Sequence, residues 1–578
     1  MLLTLTAVSA NALPAKPKPF SYAQPDGTTV TLMLHGDEYF HWITDGNGEK
    51  VKIGEDGYVI SLSEPSFRSG MKRAASVRKE REEKLAFRRM KAPASGSNHY
   101  LVLLVAFKDK AFSVSSPQES FSSMLNDPGY SQSSAVGSAR DYFMDNSCGN
   151  FTPVFDVYGP VTLPSNMKYY GQNDYYGNDQ HATLALLQAC ELLDSEIDFS
   201  QYDHDGDGYV DNVFFYYAGY NEAEGASTNT IWPHAYEVEY AISADNMITN
   251  YTFDGVKVNS YACTSELKGT SGKNMCGIGA FCHEFSHVIG LPDLYDTDYE
   301  ENGTANDMSN FSLMCEGAYN TDGCVPPYMT GIERVLLGWM DFPGTLSQSG
   351  QLTIPGIENN VCYALATDQV KEFFMIECRD GSKWDSGIGE TGLMICHIDQ
   401  SSTIIDGCKA YDLWNKWDLF NSINAYESHP CCYVVDASPK KGGSYLFPGS
   451  VGATSFTGST NPSCQSWSGV DAGHHLYDIA FDGTNVTLDY RNEGLGMLHL
   501  AQINTISNPK SGIYATGSSF ELKMIESSNP PASVAWYFDG NAVNAASVTL
   551  TAGEHAVKAV LTYSNGYVET LEQTIIAQ

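Results

Sequence analysis

Two predominantly apolar runs constrain the architecture that this chain can adopt. Residues 99–107 read HYLVLLVAF and residues 210–219 read VDNVFFYYAG. Runs of this kind, without polar alternation, are typical of strands buried within a sheet. Strands that alternate with helices predict an α+β domain, which we place at residues 96–345. Helical patterns are found at 117–125, 138–145, 180–193 and 276–290.

The sequence after this domain is dominated by strand patterns. From Gly350 to Asn492 short apolar segments follow one another, and we interpret residues 346–495 as a β-rich continuation of the same enzyme-like unit. The last 80 or so residues contain short strands separated by Asp-Gly, Asn-Gly and Ala-Gly-Glu turns. This spacing predicts a separate immunoglobulin-like β-sandwich at 496–578.

The N-terminal residues resemble an export signal. MLLTLTAVSANA supplies an apolar segment, and Ala10-Asn11-Ala12 gives a small-residue cleavage site before Leu13, although the usual basic start is missing. We therefore assign residues 1–12 to a signal peptide and expect a secreted or cell-surface protein. Turn signals within residues 20–65 predict a small β-rich unit in a propeptide that spans 13–95.

Nine of the 33 lysines and arginines lie between Met71 and Lys91. Three interpretations are open: a nucleic-acid or heparin patch, a solvated helix of mixed charge, or an exposed linker that an activating trypsin-like protease cuts. The position between two predicted units favours the linker.

The overall charge excludes one class of partner and permits another. A formal charge of −36 argues against nucleic acid, because a phosphate-binding surface needs a basic face. The carboxylate excess suits calcium binding. No later segment approaches the roughly 20 apolar residues of a membrane span. All 14 cysteines lie between Cys148 and Cys464, where disulfides are permitted but cannot be paired from sequence.

The predicted helix at 276–290 carries a metal-binding pattern. His283 and His287 are four residues apart, so a helix places both imidazoles on one face, within reach of one ion. Glu284 adjoins this face, where a carboxylate can take a proton from metal-bound water. Two histidines at this spacing also occur on helices that bind nothing. The apolar periodicity of this helix and the residues that follow it favour a zinc site.

A third ligand is expected shortly after the helix. Gly290 permits the tight turn that brings the next side chains back, and Asp293 then completes an HExxHxxGxxD pattern. An oxygen ligand there leaves one position open for water. Asp296 and Glu301 remain competing candidates. Met314 lies in a Ser-Leu-Met run, which favours a methionine turn beneath the metal, and Tyr319 is a weak candidate for a hydrogen-bond donor to the substrate.

A second metal-binding pattern precedes the run at 210–219. Residues 203–211, DHDGDGYVD, match the first nine positions of an EF-hand loop, with Gly208 at the sharp turn. The twelfth position is Phe214 rather than glutamate, so we expect a truncated structural calcium loop rather than a sensor. A metal-free Asp/Gly turn is the alternative. The predicted calcium ligands are Asp203, Asp205, Asp207, Tyr209 through its carbonyl, and Asp211.

From about residue 30 to 490, the chain resembles the immune inhibitor A-like family of secreted bacterial metallopeptidases. The resemblance rests on HGDEYFHWITDGNGEKV, GSARDYFMDNSCGNFTPVFDVYGPV, FSQYDHDGDGYVDNVFFYYAG, IWPHA, FCHEFSHVIGLPDLYD, FFMIECRD…GLMICHIDQ and LFPGS…TSFTGSTNPSCQSW. It implies a metzincin-like catalytic domain with zinc on His283, His287 and Asp293. It also implies Glu284 as general base and acid, Met314 as the methionine turn, a calcium site at 203–211 and secretion as a zymogen.

Several residues within the resembling segments have no assigned role, or depart from the family pattern. His234, His397 and Asp399 stand in recurrent segments but carry no assignable function. Ser286 replaces a glycine that is common there, and Cys282 places a thiol next to the first histidine.

The sequence therefore predicts a secreted zinc-dependent metalloendopeptidase that hydrolyses extracellular proteins or peptides. A binding or adhesion protein on a decayed peptidase scaffold is one alternative, and a cell-wall peptide amidase is another.

Overall fold

The computed structural model describes most of the chain beyond the N-terminal dozen residues. The predicted signal peptide lies outside the described residues. The described ranges are 13–54, 56–85, 94–174, 178–242, 247–297, 303–369, 371–400, 417, 423–438, 443–493, 505–508, 512–525, 533–543, 547–562 and 568–577.

The N-terminal unit is an antiparallel meander followed by a long helix. Its five strands pair in sequence order: β1 (Phe20–Ala23), β2 (Thr29–Gly36), β3 (His41–Asp45), β4 (Lys50–Ile53) and β5 (Val59–Ser61). The β-rich unit predicted at 20–65 is thus present as a sheet.

Helix α1 (Glu64–Leu85) covers much of the segment that was expected to be a flexible linker. Phe67, Met71 and Ala74 are buried at helical spacing and pack with Trp42 of the sheet, so an apolar stripe fixes the helix to the meander. For residues 71–85 the structure therefore matches the helical alternative. Residues 86–93 lie outside the described part.

The central sheet has five strands, in the order β7-β6-β8-β12-β9, and all but β9 run parallel. Alternate residues of β6 divide between two cores, with Val102 and Leu104 on one face and Leu101 and Leu103 on the other. The uninterrupted apolar run is explained by this burial on both faces. The strands are β6 (His99–Ala106), β7 (Val154–Thr162), β8 (Val213–Tyr217), β9 (His234–Glu237), β10 (Thr252–Phe253), β11 (Val256–Lys257) and β12 (Ser260–Ser265).

Helices cover both faces of this sheet. Side chains of α2, α3 and α7 share one core with β6, while α5 lies in the core on the opposite face. The helices are α2 (Pro117–Asn126), α3 (Ala139–Asn146), α4 (Met167–Gly171), α5 (Ala182–Leu193), α6 (Val238–Ala241), α7 (Gly279–Ile289) and, later in the chain, α8 (Gly331–Leu336).

Two antiparallel sheets follow, as the strand-rich pattern predicts. One has the order β14-β15-β16-β17 and the other the order β13-β19-β18. They share a core, and the opposite face of β15 packs on the core of the central sheet through Phe373 and Met375. The strands are β13 (Gly350–Pro355), β14 (Cys362–Ala366), β15 (Glu372–Arg379), β16 (Gly392–Asp399), β17 (Cys432–Val434), β18 (His474–Phe481) and β19 (Asn485–Asn492).

The described part of the C-terminal segment contains only strands. A five-stranded sheet, β21-β28-β27-β24-β25, shares a core with the pair β22-β26. The strands are β20 (Thr505–Asn508), β21 (Gly512–Tyr514), β22 (Ser519–Glu521), β23 (Lys523–Ile525), β24 (Ser533–Phe538), β25 (Asn541–Val543), β26 (Ser547–Thr549), β27 (Gly553–Thr562) and β28 (Val568–Ala577).

Two properties hold across the described residues. No helix among them combines the length and the apolar composition that crossing a bilayer requires. The 13 cysteines of the described part are free thiols, and 12 of these are buried.

Candidate active site

Helix α7 is held close to the loop behind it by small residues at its start. A Cβ atom on Gly279 would lie 1.9 Å from the Ala318 carbonyl oxygen, and one on Gly277 would lie 2.0 Å from that of Gly323. The helix ends at Gly290, whose φ of +114° favours glycine. The chain then turns back, with the Leu291 amide donating to the Ser286 carbonyl at 2.9 Å.

The two histidines of α7 face each other through one nitrogen each. Nδ1 of His283 lies 2.8 Å from the Leu313 carbonyl, and Nδ1 of His287 lies 2.8 Å from that of Leu291. Since a carbonyl only accepts, both Nδ1 atoms carry the hydrogen when the rings are neutral. The two Nε2 atoms then present lone pairs to each other at 3.1 Å. This arrangement suits a cation that both nitrogens share.

Asp293 completes the group. Its Oδ1 lies 3.4 Å from Nε2 of His283 and 3.3 Å from Nε2 of His287, and all three side chains are buried. Burial alone would raise the pKa of Asp293, but the two imidazoles hold it below its usual value. Asp296 instead accepts from the Ala305 amide at 2.9 Å, and Glu301 lies outside the described residues.

The donor set of this group suits a divalent metal ion. One ligand atom from each of the three residues lies within 4.8 Å of the others. Two neutral imidazoles and a carboxylate match the ligand types of a catalytic zinc with one open position. Burial lowers the pKa of His287, which favours the neutral imidazole that a metal needs.

Sequence comparison agrees with this geometry. Residues 97–327 match the model for the immune inhibitor A peptidase M6 catalytic domain. This segment contains both histidines, Glu284 and Asp293. Residues 97–327 are therefore similar to the M6 peptidase catalytic domain.

Two curated proteins are similar to part of this chain. The chain is 26% identical over 210 residues to immune inhibitor A of Bacillus thuringiensis subsp. alesti. The aligned segment covers 32% of this chain and 29% of the relative. It is 25% identical over 224 residues to the pre-pro-metalloprotease PrtV of Vibrio cholerae, which covers 34% and 23% respectively. The match thus spans about a quarter of each relative's length, and the family and relatives indicate a metallopeptidase.

A solved structure, OgpA from Akkermansia muciniphila, aligns with 85% of this chain and 96% of its own at 10% identity. The TM-score of 0.22 is too low to support any conclusion.

Glu284 lies in the M6 domain beside the histidine pair and is fully buried. Its Oε1 accepts a hydrogen bond of 2.8 Å from the backbone amide of Leu13, while Oε2 has no hydrogen-bond partner among the described residues. Burial, reinforced by Asp293, raises the pKa of Glu284 well above its ordinary value. A carboxylate with this tendency to hold a proton suits a general base that later acts as an acid.

Met314 is buried in the turn under the histidines. Its carbonyl accepts from the Leu294 amide at 2.8 Å, and the neighbouring carbonyl of Leu313 holds His283. The turn therefore connects the first histidine to the segment that carries Asp293. Cys282, the thiol beside the first histidine, is buried in the hydrophobic core.

The residues that follow the predicted signal cleavage site lie beside Glu284, in a cleft that Trp232, Tyr319 and Glu224 line. The Trp232 indole donates to the Leu13 carbonyl at 3.2 Å, and the Tyr319 hydroxyl donates to the Pro14 carbonyl at 2.6 Å. Lys16 forms an ion pair of 2.8 Å with Glu224. Sequence reasoning did not find these contacts, because nothing local in the chain connects residue 13 to residue 284.

The predicted calcium loop is partly assembled. Ligand atoms of Asp203, Asp205 and Asp207 lie within 4.8 Å of one another, whereas Asp211 is paired with His204 Nδ1 at 2.7 Å. Backbone amides of the turn already donate hydrogen bonds to these carboxylates. The Gly208 amide, for example, donates to Asp203 at 2.9 Å.

Three residues that stand in family-like segments without an assigned role, His234, His397 and Asp399, are hydrogen-bonded within the fold. His234 contacts the Trp232 carbonyl at 2.6 Å and the Tyr261 hydroxyl at 3.0 Å. His397 lies 2.9 Å from Glu372, and Asp399 lies 2.7 Å from His429. The structure thus gives each of them partners away from the histidine pair of α7.

Proposed function

We propose that this chain is a secreted zinc-dependent metalloendopeptidase that acts on extracellular proteins or peptides. The observation that carries the proposal is the buried pair of Nε2 atoms 3.1 Å apart with Asp293 beside them, within an M6 domain. His283, His287 and Asp293 would hold the zinc. When bound, zinc would acidify water and polarise the scissile carbonyl.

The residues of the chain supply the remaining chemistry. Glu284 takes the proton of the attacking water on its carboxylate and later delivers it to the leaving amine. The carbonyls of Leu313 and Leu291 keep Nδ1 of each histidine protonated and orient the rings. Burial of the group excludes bulk water and strengthens these interactions.

We further propose that the protein is made as a zymogen in which residues 13–95 form the propeptide. The contact between the Leu13 amide and Glu284 supports this, because it engages the general base with the chain's own backbone. The ion pair between Lys16 and Glu224, of which neither side chain is more than 12% exposed, anchors the same segment in the cleft. A trypsin-like protease would cut within the basic stretch between Met71 and Lys91.

Two structural roles complete the proposal. The 203–211 loop would bind calcium for rigidity, with Asp203, Asp205 and Asp207 as its first ligands and the Tyr209 carbonyl and Asp211 joining them. The C-terminal segment would form an immunoglobulin-like β-sandwich, which is supported by the core that its two sheets share.

The test is metal content and casein cleavage on the purified full-length chain before and after mild trypsin treatment. One zinc per chain, with activity that rises after a cut between residues 71 and 95, is the expected result. Zinc without cleavage of any protein would favour a cell-wall peptide amidase. Absence of zinc from a folded chain would contradict the proposal and favour a binding protein on a peptidase scaffold.

A further inference from the structure

Three buried side-chain oxygens beside the cleft wall lack hydrogen-bond donors among the described residues. They are Asn173 Oδ1, Asp179 Oδ1 and Glu222 Oε2. A buried polar atom without a partner typically costs about 1–3 kcal/mol. Three of them in neighbouring residues therefore indicate that a binding partner belongs there.

The three residues form one group. Asn173 Nδ2 donates to Glu222 Oε1 at 3.0 Å, and Asn173 and Asp179 are paired as partners of an antiparallel bridge. Burial, together with the Glu222 carboxylate, raises the pKa of Asp179 well above its ordinary value. The carboxylates of Asp179 and Glu222 repel each other electrostatically, which is unfavourable unless they share a positive charge.

The N-terminal unit supplies a cationic group, but it does not balance this charge. His41 Nε2 lies 3.2 Å from Glu222 Oε1, and its ring stacks on Trp232. A protonated imidazole offsets one of the two negative charges. It contacts Oε1 of Glu222, so the three oxygens without donors remain unmatched.

We infer that Asn173, Asp179 and Glu222 form a calcium site that is separate from the 203–211 loop. An amide oxygen and two carboxylates are the hard oxygen ligands that calcium prefers, and calcium accepts the irregular geometry of a loop site. The inference rests on these side chains alone and does not depend on the proposed peptidase activity.

The site would brace one wall of the cleft. Asp179 Oδ2 accepts from the Trp232 backbone amide at 2.8 Å, and Trp232 holds the Leu13 carbonyl. Glu222 starts the 3₁₀ helix Glu222–Glu224, whose last residue pairs with Lys16. A cation bound here would therefore fix both elements that contact residues 13–16.

Calcium titration of the full-length chain tests this. Calcium is removed with a chelating resin and returned as calcium chloride in a calorimeter, with the parent, Asp179→Asn and Glu222→Gln compared. Asp205→Asn, which alters the other loop, is the matched control. We expect Asp179→Asn and Glu222→Gln each to lose the calcium ion bound at this site. The control Asp205→Asn should still bind it. Terbium emission sensitised by tryptophan should fall in Asp179→Asn and persist in Asp205→Asn, since Trp232 adjoins the site.

A gain-of-charge variant covers the case in which the first two variants fail to fold. Asn173→Asp adds a third carboxylate, so calcium should bind more tightly and raise the Tm by more than it does in the parent. Unchanged calcium stoichiometry and affinity in Asp179→Asn and Glu222→Gln would overturn the inference. So would an Asn173→Asp chain with a parent-like calcium response. If His41 alone balances the carboxylates, no variant will differ from the parent in calcium binding, which would also overturn the inference.

Discussion

The backbone amide of Leu13 donates a 2.8 Å hydrogen bond to Oε1 of Glu284, across 271 positions of sequence. The residue that begins the chain after the predicted signal cleavage thus engages the carboxylate proposed as general base. Leu13 is itself buried, within the core that includes α7. The N-terminal segment and the histidine pair therefore belong to one packed unit.

Charge reversal at Lys16 should weaken this arrangement. Lys16 is paired with Glu224 at 2.8 Å and with Asp322 at 3.3 Å, so Lys16→Glu places three carboxylates together. We expect cleavage of a reporter peptide by the uncut chain to rise about tenfold, which corresponds to about 1.4 kcal/mol of lost anchoring.

Lys18→Glu is the matched control, because Lys18 is 66% exposed and lies 3.6 Å from Asp322. It should leave the activity of the uncut chain near that of the parent. Equal activity of uncut parent and Lys16→Glu, with both fully active after trypsin, would show that this ion pair does not restrain the segment.

Glu284→Gln should abolish hydrolysis and keep the metal. The side chain remains isosteric but cannot take a proton, so we expect kcat to fall by about 10²–10⁴-fold. Metal analysis should give the same zinc content as the parent, because the ligands proposed are His283, His287 and Asp293. Glu191→Gln, at an exposed position of α5, is the control. Near-parent cleavage by Glu284→Gln would remove the general-base assignment.

Asp205→Asn should lower thermal stability in calcium and have little effect without it. The side chains of Asp203, Asp205 and Asp207 converge, and burial raises the pKa of Asp207 to about 6, with the neighbouring carboxylates adding to the shift. Differential scanning calorimetry with and without a calcium-selective chelator measures the difference. If the parent shows no calcium-dependent Tm, or if Asp205→Asn responds to calcium as the parent does, the loop is a metal-free turn.

Glu316→Gln should stabilise the protein at alkaline pH. Burial, reinforced by Asp307, raises the pKa of Glu316 to about 7 from an ordinary value of 4.5. The fold therefore favours the protonated carboxyl. That contribution is complete below the unfolded pKa and is lost as the pH rises through about 7, a change of at most about 3 kcal/mol.

The measurement is the Tm of parent and Glu316→Gln at pH 5 and pH 8. The variant's advantage should be larger at pH 8, where the parent must ionise a buried carboxyl. The same difference at both values would mean that Glu316 ionises at its ordinary pKa.

Local patterns predicted helix α7, because the spacing of His283 and His287 and the break at Gly290 are encoded within a dozen residues. The apolar runs predicted β6 and β8 for the same reason. The basic segment that lies largely in helix α1 was expected to be a linker. The burial of Phe67 against the meander, which fixes the helix, is a tertiary contact that local patterns do not encode. The association of Asn173 with Glu222 was also not predicted, because two loops meet there only after folding.

The contacts of the N-terminal unit also determine how activation would proceed in time. A cut after α1 leaves the meander attached by Lys16 to Glu224, by His41 to Glu222 and by an apolar patch that includes Leu34 and Ala223. None of these contacts is covalent, so under the proposed zymogen mechanism the severed fragment would be a bound inhibitor with a finite residence time. Activity should then appear after a lag, and its extent should grow on dilution as the fragment escapes. The freshly cut protein would be a complex of two chains whose specific activity depends on its own concentration.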